Sequence, residues 1–166
     1  INRHYWLLEE GSGFTPLQAA TDTGQADLVE LFLQRGADVN APPAIRNGAT
    51  ALQFAAIRGH LGIAKRLIAL GADTNAPAAL INGRTSLEGA AENGRLDMLQ
   101  LLFKRGTLTK YDGRHQYIRA IKLAIKEGHC EAERLLRGHR NWEEEDHILF
   151  ELKEDFERQK SYWCGS

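Results

Sequence analysis

The sequence contains few cysteines and almost no net charge, and both shortages exclude broad classes of protein. Cys130 and Cys164 are the two cysteines in 166 residues, too few for a disulfide framework, which favours a reducing intracellular setting, cytoplasmic or nuclear. A net charge of -1 gives no argument for a nucleic-acid or membrane partner. No apolar run approaches the roughly 20 residues that cross a bilayer. The chain begins with Ile1 rather than Met, so we expect a fragment of a longer protein.

Sequence motifs for catalysis are also missing. The chain contains no GxxxxGK[ST], GxGxxG, HExxH, GxSxG or CxxC pattern. The spacing of His115, His129, Cys130 and His139 matches no known zinc pattern. We therefore expect no enzymatic activity, no metal and no cofactor.

What the chain has instead is an internal repeat with a step of 35 residues. Gly13, Gly48 and Gly83 align at this step, and each is followed two residues later by a threonine and four residues later by a leucine. The end of each block also recurs, as "RGADVNAP" and then "LGADTNAP". A sequence pattern that recurs at this period is typical of stacked helical units.

Each block is predicted to form two helices and a long loop. Thr15, Thr50 and Thr85 stand at helix N-caps, and three residues later Gln18, Gln53 and Glu88 complete capping boxes. Gly24, Gly59 and Gly94 are predicted to end the first helix in a left-handed conformation. The second helix has an apolar stripe, which a lone helix pair cannot bury but stacked pairs can.

The segment "GFTPLQAATDTGQADLVELFLQRGADVNA" resembles the ankyrin repeat. The resemblance covers residues 13–136 and implies an all-α solenoid of helix-turn-helix units with long hairpin loops. Two features depart from the family pattern: the period is 35 rather than 33, and Gln or Glu replaces the histidine of TPLH. Together with the prolines of "NAPP", the longer loop resembles fungal-type ankyrin arrays.

The repeat divides the chain into six segments. The fourth block, residues 119–140, lacks the threonine cap and has a polar second helix, as a terminal repeat requires. Cys130 aligns in it with Leu61 and Leu96, which predicts a small core residue. The segments are a truncated N-terminal repeat or capping helix (1–12), repeat 1 (13–47), repeat 2 (48–82), repeat 3 with an irregular loop (83–118), a degenerate capping repeat (119–140) and an acidic helical tail (141–166).

The tail is predicted to be one amphipathic helix from Trp142 to Arg158. Asn141 and Glu144 are its expected capping box, and the apolar face consists of Ile148, Leu149, Leu152 and Phe156. The tail has eight acidic and three basic residues, whereas residues 104–140 have ten basic and four acidic ones. We therefore expect the tail to dock on the segment 104–140, either as an extra cap or as a cover that a partner displaces.

The predicted binding surface consists of positions that vary between the blocks. In ankyrin arrays such positions face a concave groove, and their mixture of aromatic, aliphatic, Arg and amide side chains suits another protein or a peptide segment. These residues are Phe14, Asp22, Thr23, Arg46, Asn47, Ala49, Ile57, Arg58, Ile81, Asn82, Arg84, Glu92, Asn93, Lys126 and Glu127.

Two other functions remain open. The chain can be the sensor or regulatory segment of a larger multidomain enzyme or NTPase receptor, with catalysis elsewhere. The basic residues Arg114, Arg119, Lys122 and Lys126 could contact phosphates, but no nucleic-acid motif accompanies them. A solvated face or a docking surface for the tail is the preferred interpretation, so neither nucleic acid nor membrane is expected as a partner.

Overall fold

The computed structural model describes residues 13–152, and within them the chain forms nine α-helices and one short 3₁₀ turn at Tyr111–Gly113. In chain order the helices are α1 (Pro16–Asp22), α2 (Ala26–Gln34), α3 (Ala51–Arg58), α4 (Leu61–Ala69), α5 (Ser86–Glu92), α6 (Leu96–Lys104), α7 (Arg114–Lys126), α8 (Cys130–His139) and α9 (Glu144–Glu151). None of the helices in this part of the chain is long and apolar enough to cross a membrane.

The first eight helices pack as four consecutive pairs. The first helices of the pairs, α1, α3, α5 and α7, each contact the next one along the chain, while α4, α6 and α8 make a second row. One continuous core runs between the rows and includes Leu17, Leu52 and Leu87, one leucine from each repeat. Because each pair buries its apolar side against the next pair, the repeated sequence produces an all-α stack, as expected.

The predicted helix caps are present in all three repeats. The hydroxyl of Thr50 accepts a hydrogen bond from the backbone N–H of Gln53 at 3.2 Å, and the side chain of Gln53 accepts one from the N–H of Thr50 at 2.9 Å. Thr15 and Thr85 form the same box with Gln18 and Glu88. Gly59 has a φ of 82°, so the first helix ends in the left-handed conformation that its sequence predicts.

The hairpin loops of repeats 1 and 2 are joined by a short backbone bridge. The N–H of Asn47 donates to the carbonyl of Ile81 at 2.9 Å, and the N–H of Ile81 donates to the carbonyl of Ile45 at 3.0 Å. A side chain at Gly48 or Gly83 would overlap the backbone of Ala44 or Ala79, which explains why both loops require glycine there. The loop tips therefore support each other as well as presenting side chains.

One position of each first helix links it to the chain that follows. The amide of Gln18 donates to the carbonyls of Ala41 and Pro42, both at 3.0 Å. Gln53 donates in the same way to Ala76 and Pro77, both at 2.9 Å. The carboxylate of Glu88 has no N–H to donate, and it pairs instead with Arg119 of α7 at 3.3 Å. Lys122, which aligns with Glu88, donates to the carbonyls of Leu149 and Leu152 at the end of α9.

The last two segments differ in detail from their predicted form. Helix α7 begins at Arg114, so the last helix pair starts inside the range predicted for repeat 3. Cys130 is exposed rather than part of the core, because within residues 13–152 no further helix pair packs against the start of α8. This part of the prediction was wrong, since the register of the earlier blocks does not supply a neighbour for the final one.

Helix α9 is shorter than predicted and has a different cap. It spans Glu144–Glu151, and its capping box is formed by Glu143 and Asp146 instead of Asn141 and Glu144. Its packed side consists of Asp146, Leu149 and Phe150, whereas Ile148 and Leu152 are exposed. The predicted face was chosen from apolar residues alone. It therefore did not include Asp146, whose carboxylate is buried in an ion pair. Phe156 and Arg158 lie outside the described residues.

Candidate partner-binding surface

Fourteen of the fifteen predicted binding residues are at least partly accessible. Ala49 is the exception, with 2% of its surface exposed, because it lies between the tight glycine turn and the Thr50 cap. It is buried scaffold and cannot contact a partner. The exposed positions are Thr23, Arg46, Asn47, Arg58, Asn82, Lys126 and Glu127, and the partly buried ones are Phe14, Asp22, Ile57, Ile81, Arg84, Glu92 and Asn93.

Several of these residues contact each other across the repeats. The Nε atom of Arg58 lies 2.8 Å from Oδ1 of Asp22, which joins the ends of α1 and α3. Asn82 donates to the side-chain oxygen of Asn47 at 3.1 Å, so the two loop tips share an amide pair. Both asparagines have positive φ angles, of 51° and 58°, a conformation that asparagine tolerates better than most residues.

Repeat 3 and helix α7 together form a compact cluster of four charged side chains. Arg84 holds Glu92 through two hydrogen bonds, of 2.8 and 2.9 Å, and Arg119 approaches the buried carboxylate of Glu88. Burial raises the pKa of Glu88, although the nearby Arg119 and the hydrogen bond from Thr85 partly oppose that rise. Since the four charges occur as two opposite pairs, this region has polar groups without an excess of either sign.

Besides the predicted Ile81, the loops have exposed apolar side chains that were not part of the sequence-based prediction. Ile45 and Leu80 are exposed and stand one period apart, and the exposed Tyr111 follows in the third loop. The bridge between Arg46 and Ile81 holds the first two loops side by side. The signal available in the sequence was an aliphatic residue repeated at a loop position where polar residues are the norm.

This surface combines paired charges with exposed aliphatic side chains. Within residues 13–152 no group of three His, Cys, Asp or Glu side chains is arranged to hold a metal ion. The polar side chains, such as Asp22 with Arg58 and Arg84 with Glu92, are committed to each other. Paired charges and exposed aliphatic tips on a packed helical support can recognise a complementary protein surface.

The helix pairs, the glycine-ended turns and the stacked hairpin loops define a helical repeat protein. Comparison with known families identifies the repeat: the ankyrin repeat model matches residues 12–42, and a model of three ankyrin repeats matches residues 42–112. The chain therefore belongs to the ankyrin-repeat family, whose repeats generally act as protein-protein interaction modules. No curated protein matches the chain.

Proposed function

We propose that this chain is a non-catalytic module that presents a rigid surface to a protein or peptide partner. The surface consists of the ends of α1, α3, α5 and α7 together with the tips of the hairpin loops. The observation that carries the proposal is the bridge between the first two loops, in which Ile81 exchanges backbone hydrogen bonds with Ile45 and Asn47. Loops that are already paired lose little conformational entropy on binding.

The partner is expected to be recognised mainly by shape and apolar contact. Asp22 neutralises Arg58, and Glu92 neutralises Arg84, so the fixed charges form short-range polar contacts instead of a long-range field. Leu80 is the most exposed aliphatic side chain at the loop tips. Centrally placed aliphatic and arginine side chains of this kind are frequent energetic centres of protein interfaces.

A paired-variant capture experiment tests the proposal. Arg58→Glu with Leu80→Asp changes two exposed side chains of the proposed surface, whereas Lys65→Glu with Leu70→Asp makes the same kinds of change at exposed positions of α4 and its C-terminal end. We expect the first variant to lose the proteins that the wild type captures from a cell extract, and the second to retain them. Equal capture by both variants, with circular dichroism showing both folded, would overturn the proposal.

For the tail we propose a capping role rather than autoinhibition. Glu143 pairs with Lys110 at 3.0 Å and with Arg114 at 2.5 Å, while Asp146 pairs with Arg140 at 2.6 Å in a buried position. These contacts support docking of the described part of the tail, residues 141–152, on the basic segment 104–140. Truncation after residue 140 is expected to lower stability without raising partner affinity; a rise in affinity would favour autoinhibition.

A further inference from the structure

The backbone bridge between the hairpin loops stops at repeat 2 and leaves an open edge. We define this open edge by Leu80, Ile81 and Asn82, which lie at the tip of the second loop. Ile81 uses its N–H and its carbonyl to bond to the first loop, at Ile45 and Asn47. In a parallel pair the backbone groups of the residues on either side point the opposite way, so those of Leu80 and Asn82 are directed toward repeat 3.

The repeat identifies two backbone groups of the open edge that lack a partner. In the first loop, the carbonyl of Ile45 and the N–H of Asn47 both bond to Ile81, at 3.0 and 2.9 Å. One period later the same groups are the carbonyl of Leu80 and the N–H of Asn82, and neither is hydrogen-bonded within residues 13–152. The open edge therefore has one acceptor and one donor, spaced to receive a single residue of an extended chain.

The third loop is too short to fill this position. It begins in register with the second, because the N–H of Leu108 donates to the side chain of Asn75 at 2.8 Å, as the equivalent N–H does one period earlier. Gly106 and Gly113 are then 7 positions apart instead of 12, so the five residues that form the tips of the first two loops have no counterpart. The space beside the second loop stays open, and Leu80 is 79% exposed.

We propose that the open edge binds an extended segment of a partner protein by β-strand addition, in the place that the short third loop leaves empty. This inference rests on the proposed binding function and specifies the chemistry of the partner. One residue of the segment donates its N–H to the carbonyl of Leu80 and accepts a hydrogen bond from the N–H of Asn82. It thereby repeats the contacts that Ile81 makes with the first loop.

Side chains at the two loop tips indicate which sequence the open edge prefers. Ile45 and Leu80 each precede a bridged residue and are 54% and 79% exposed, so we expect an aliphatic residue before the bridging residue of the partner. The side chain of Asn82 donates to Asn47, while its Oδ1 atom accepts no hydrogen bond within residues 13–152. An asparagine after the bridging residue would donate to that Oδ1 atom. The expected recognition pattern is thus an aliphatic residue, any residue and an asparagine.

Nuclear magnetic resonance of the full chain with a defined peptide tests this inference. The probe is a synthetic peptide with blocked ends and the sequence of residues 77–84, which contains the expected pattern as leucine, isoleucine and asparagine. We expect the peptide to shift the amide proton of Asn82 downfield, because this N–H gains an acceptor. The amide signals of α2 and α4 should not move.

Methylation of the peptide backbone supplies a matched pair of probes. A methyl group on the isoleucine nitrogen removes the donor for the carbonyl of Leu80 and places a carbon against the open edge. It should raise the Kd about tenfold. A methyl group on the leucine nitrogen is the control, because that N–H points away from the open edge, and it should leave the Kd unchanged.

Three results would contradict the inference. Equal Kd values for the two methylated peptides would show that the backbone of the partner does not pair with the open edge. Protection of the Asn82 amide that rises with protein concentration in the absence of peptide would assign the edge to a second copy of this chain. A peptide that moves no amide signal of the open edge, while capture of partners still depends on Arg58 and Leu80, would overturn the inference and leave the proposed function intact. Equal capture by both variant pairs would instead remove the proposed function, so the two failures are distinguishable.

Discussion

The hairpin loops that follow repeats 1 and 2 are held by neutral hydrogen bonds, whereas the chain after repeat 3 is held by charges. Gln53 reaches two carbonyls of its loop, at Ala76 and Pro77. At the same position of repeat 3, Glu88 has no loop carbonyl to contact and pairs with Arg119. The third loop is also shorter, since Gly106 and Gly113 are 7 positions apart while the corresponding glycines of the first two loops are 12 apart.

The difference shows how a repeat array changes its chemistry as it ends. A glutamine is useful only where a long loop passes close enough to accept its hydrogen bonds. Where the loop is short, the next helix begins early, and an arginine on that helix can reach back to a carboxylate. Lys122 extends this trend by donating to the carbonyls at the end of α9, at 2.9 and 2.7 Å. Stability should therefore depend on pH and salt in the C-terminal half more than in the N-terminal half.

Replacing the neutral glutamine of repeat 2 by the acidic residue found in repeat 3 should have the largest effect on stability. In Gln53→Glu, a buried carboxylate faces two carbonyl oxygens, has no arginine partner and loses two hydrogen bonds. We expect a loss of about 4 kcal/mol in the free energy of unfolding at pH 7, measured with urea. Part of the loss should be recovered at pH 4, because the protonated carboxyl can donate one hydrogen bond. Equal stability of variant and wild type at pH 7 would show that the loop carbonyls do not anchor the glutamine.

The glycine that all three loops share gives the second prediction. A Cβ at Gly83 would overlap the backbone of Ala79, so the loop must move to accept Gly83→Ala. We expect a loss of roughly 3 kcal/mol in thermal or urea unfolding. Gly62 is the control, because it lies within α4 and has open space around it. There Gly62→Ala should stabilise the protein by about 0.5–1 kcal/mol, since alanine favours the helix.

The regular part of this fold could be predicted from the sequence, and the reasons are local. Thr50 and Gln53 cap a helix using atoms three residues apart, and Gly59 ends that helix by its own conformational freedom. These features need no knowledge of distant residues. Stacking of the helix pairs followed because the same apolar stripe recurs at one period.

The features that were missed depend on residues far apart in the chain. The exposure of Cys130 and the burial of Ala49 depend on which neighbours are present, and a repeat register cannot supply these at an end or under a loop. The Asp146 carboxylate is buried where it pairs with Arg140 and where Arg114 of α7 approaches it at 3.7 Å. Apolar periodicity could not find that face of α9, since the residue at its centre is charged.

The ion pair beneath α9 gives the third prediction. Burial disfavours the charged form of Asp146, but the hydrogen bonds from Arg140 and from the Glu143 backbone outweigh burial and hold its pKa below the ordinary value. Its stabilising effect is therefore present above the unfolded pKa of about 3.9 and is lost as pH falls through the folded pKa. Asp146→Asn should weaken α9 packing by about 2 kcal/mol.

Fluorescence of Trp142 reports on this contact when Trp6 and Trp163 are replaced by phenylalanine. The Asp146→Asn signal should change at a lower urea concentration, while far-ultraviolet circular dichroism of the whole array changes much less. Glu144→Gln, an exposed acid on the same helix, should leave the Trp142 transition unmoved. A simultaneous shift of both signals would mean that α9 and the repeats unfold as one unit.

The smallest effect is expected at Glu88, where the sign of the pH dependence is opposite. Because burial raises its pKa in the folded state, the stability linked to this group is greatest below the unfolded pKa of about 4.3 and declines as pH rises through the folded pKa. Glu88→Gln keeps an oxygen for the Thr85 N–H and removes the titrating proton. The urea midpoint should then be slightly higher at pH 7, and the decline between pH 4 and pH 7 should be weaker than in the wild type. An unaltered decline would mean that other groups cause the pH dependence. Glu88 would then differ from Gln53 only in its hydrogen bonds.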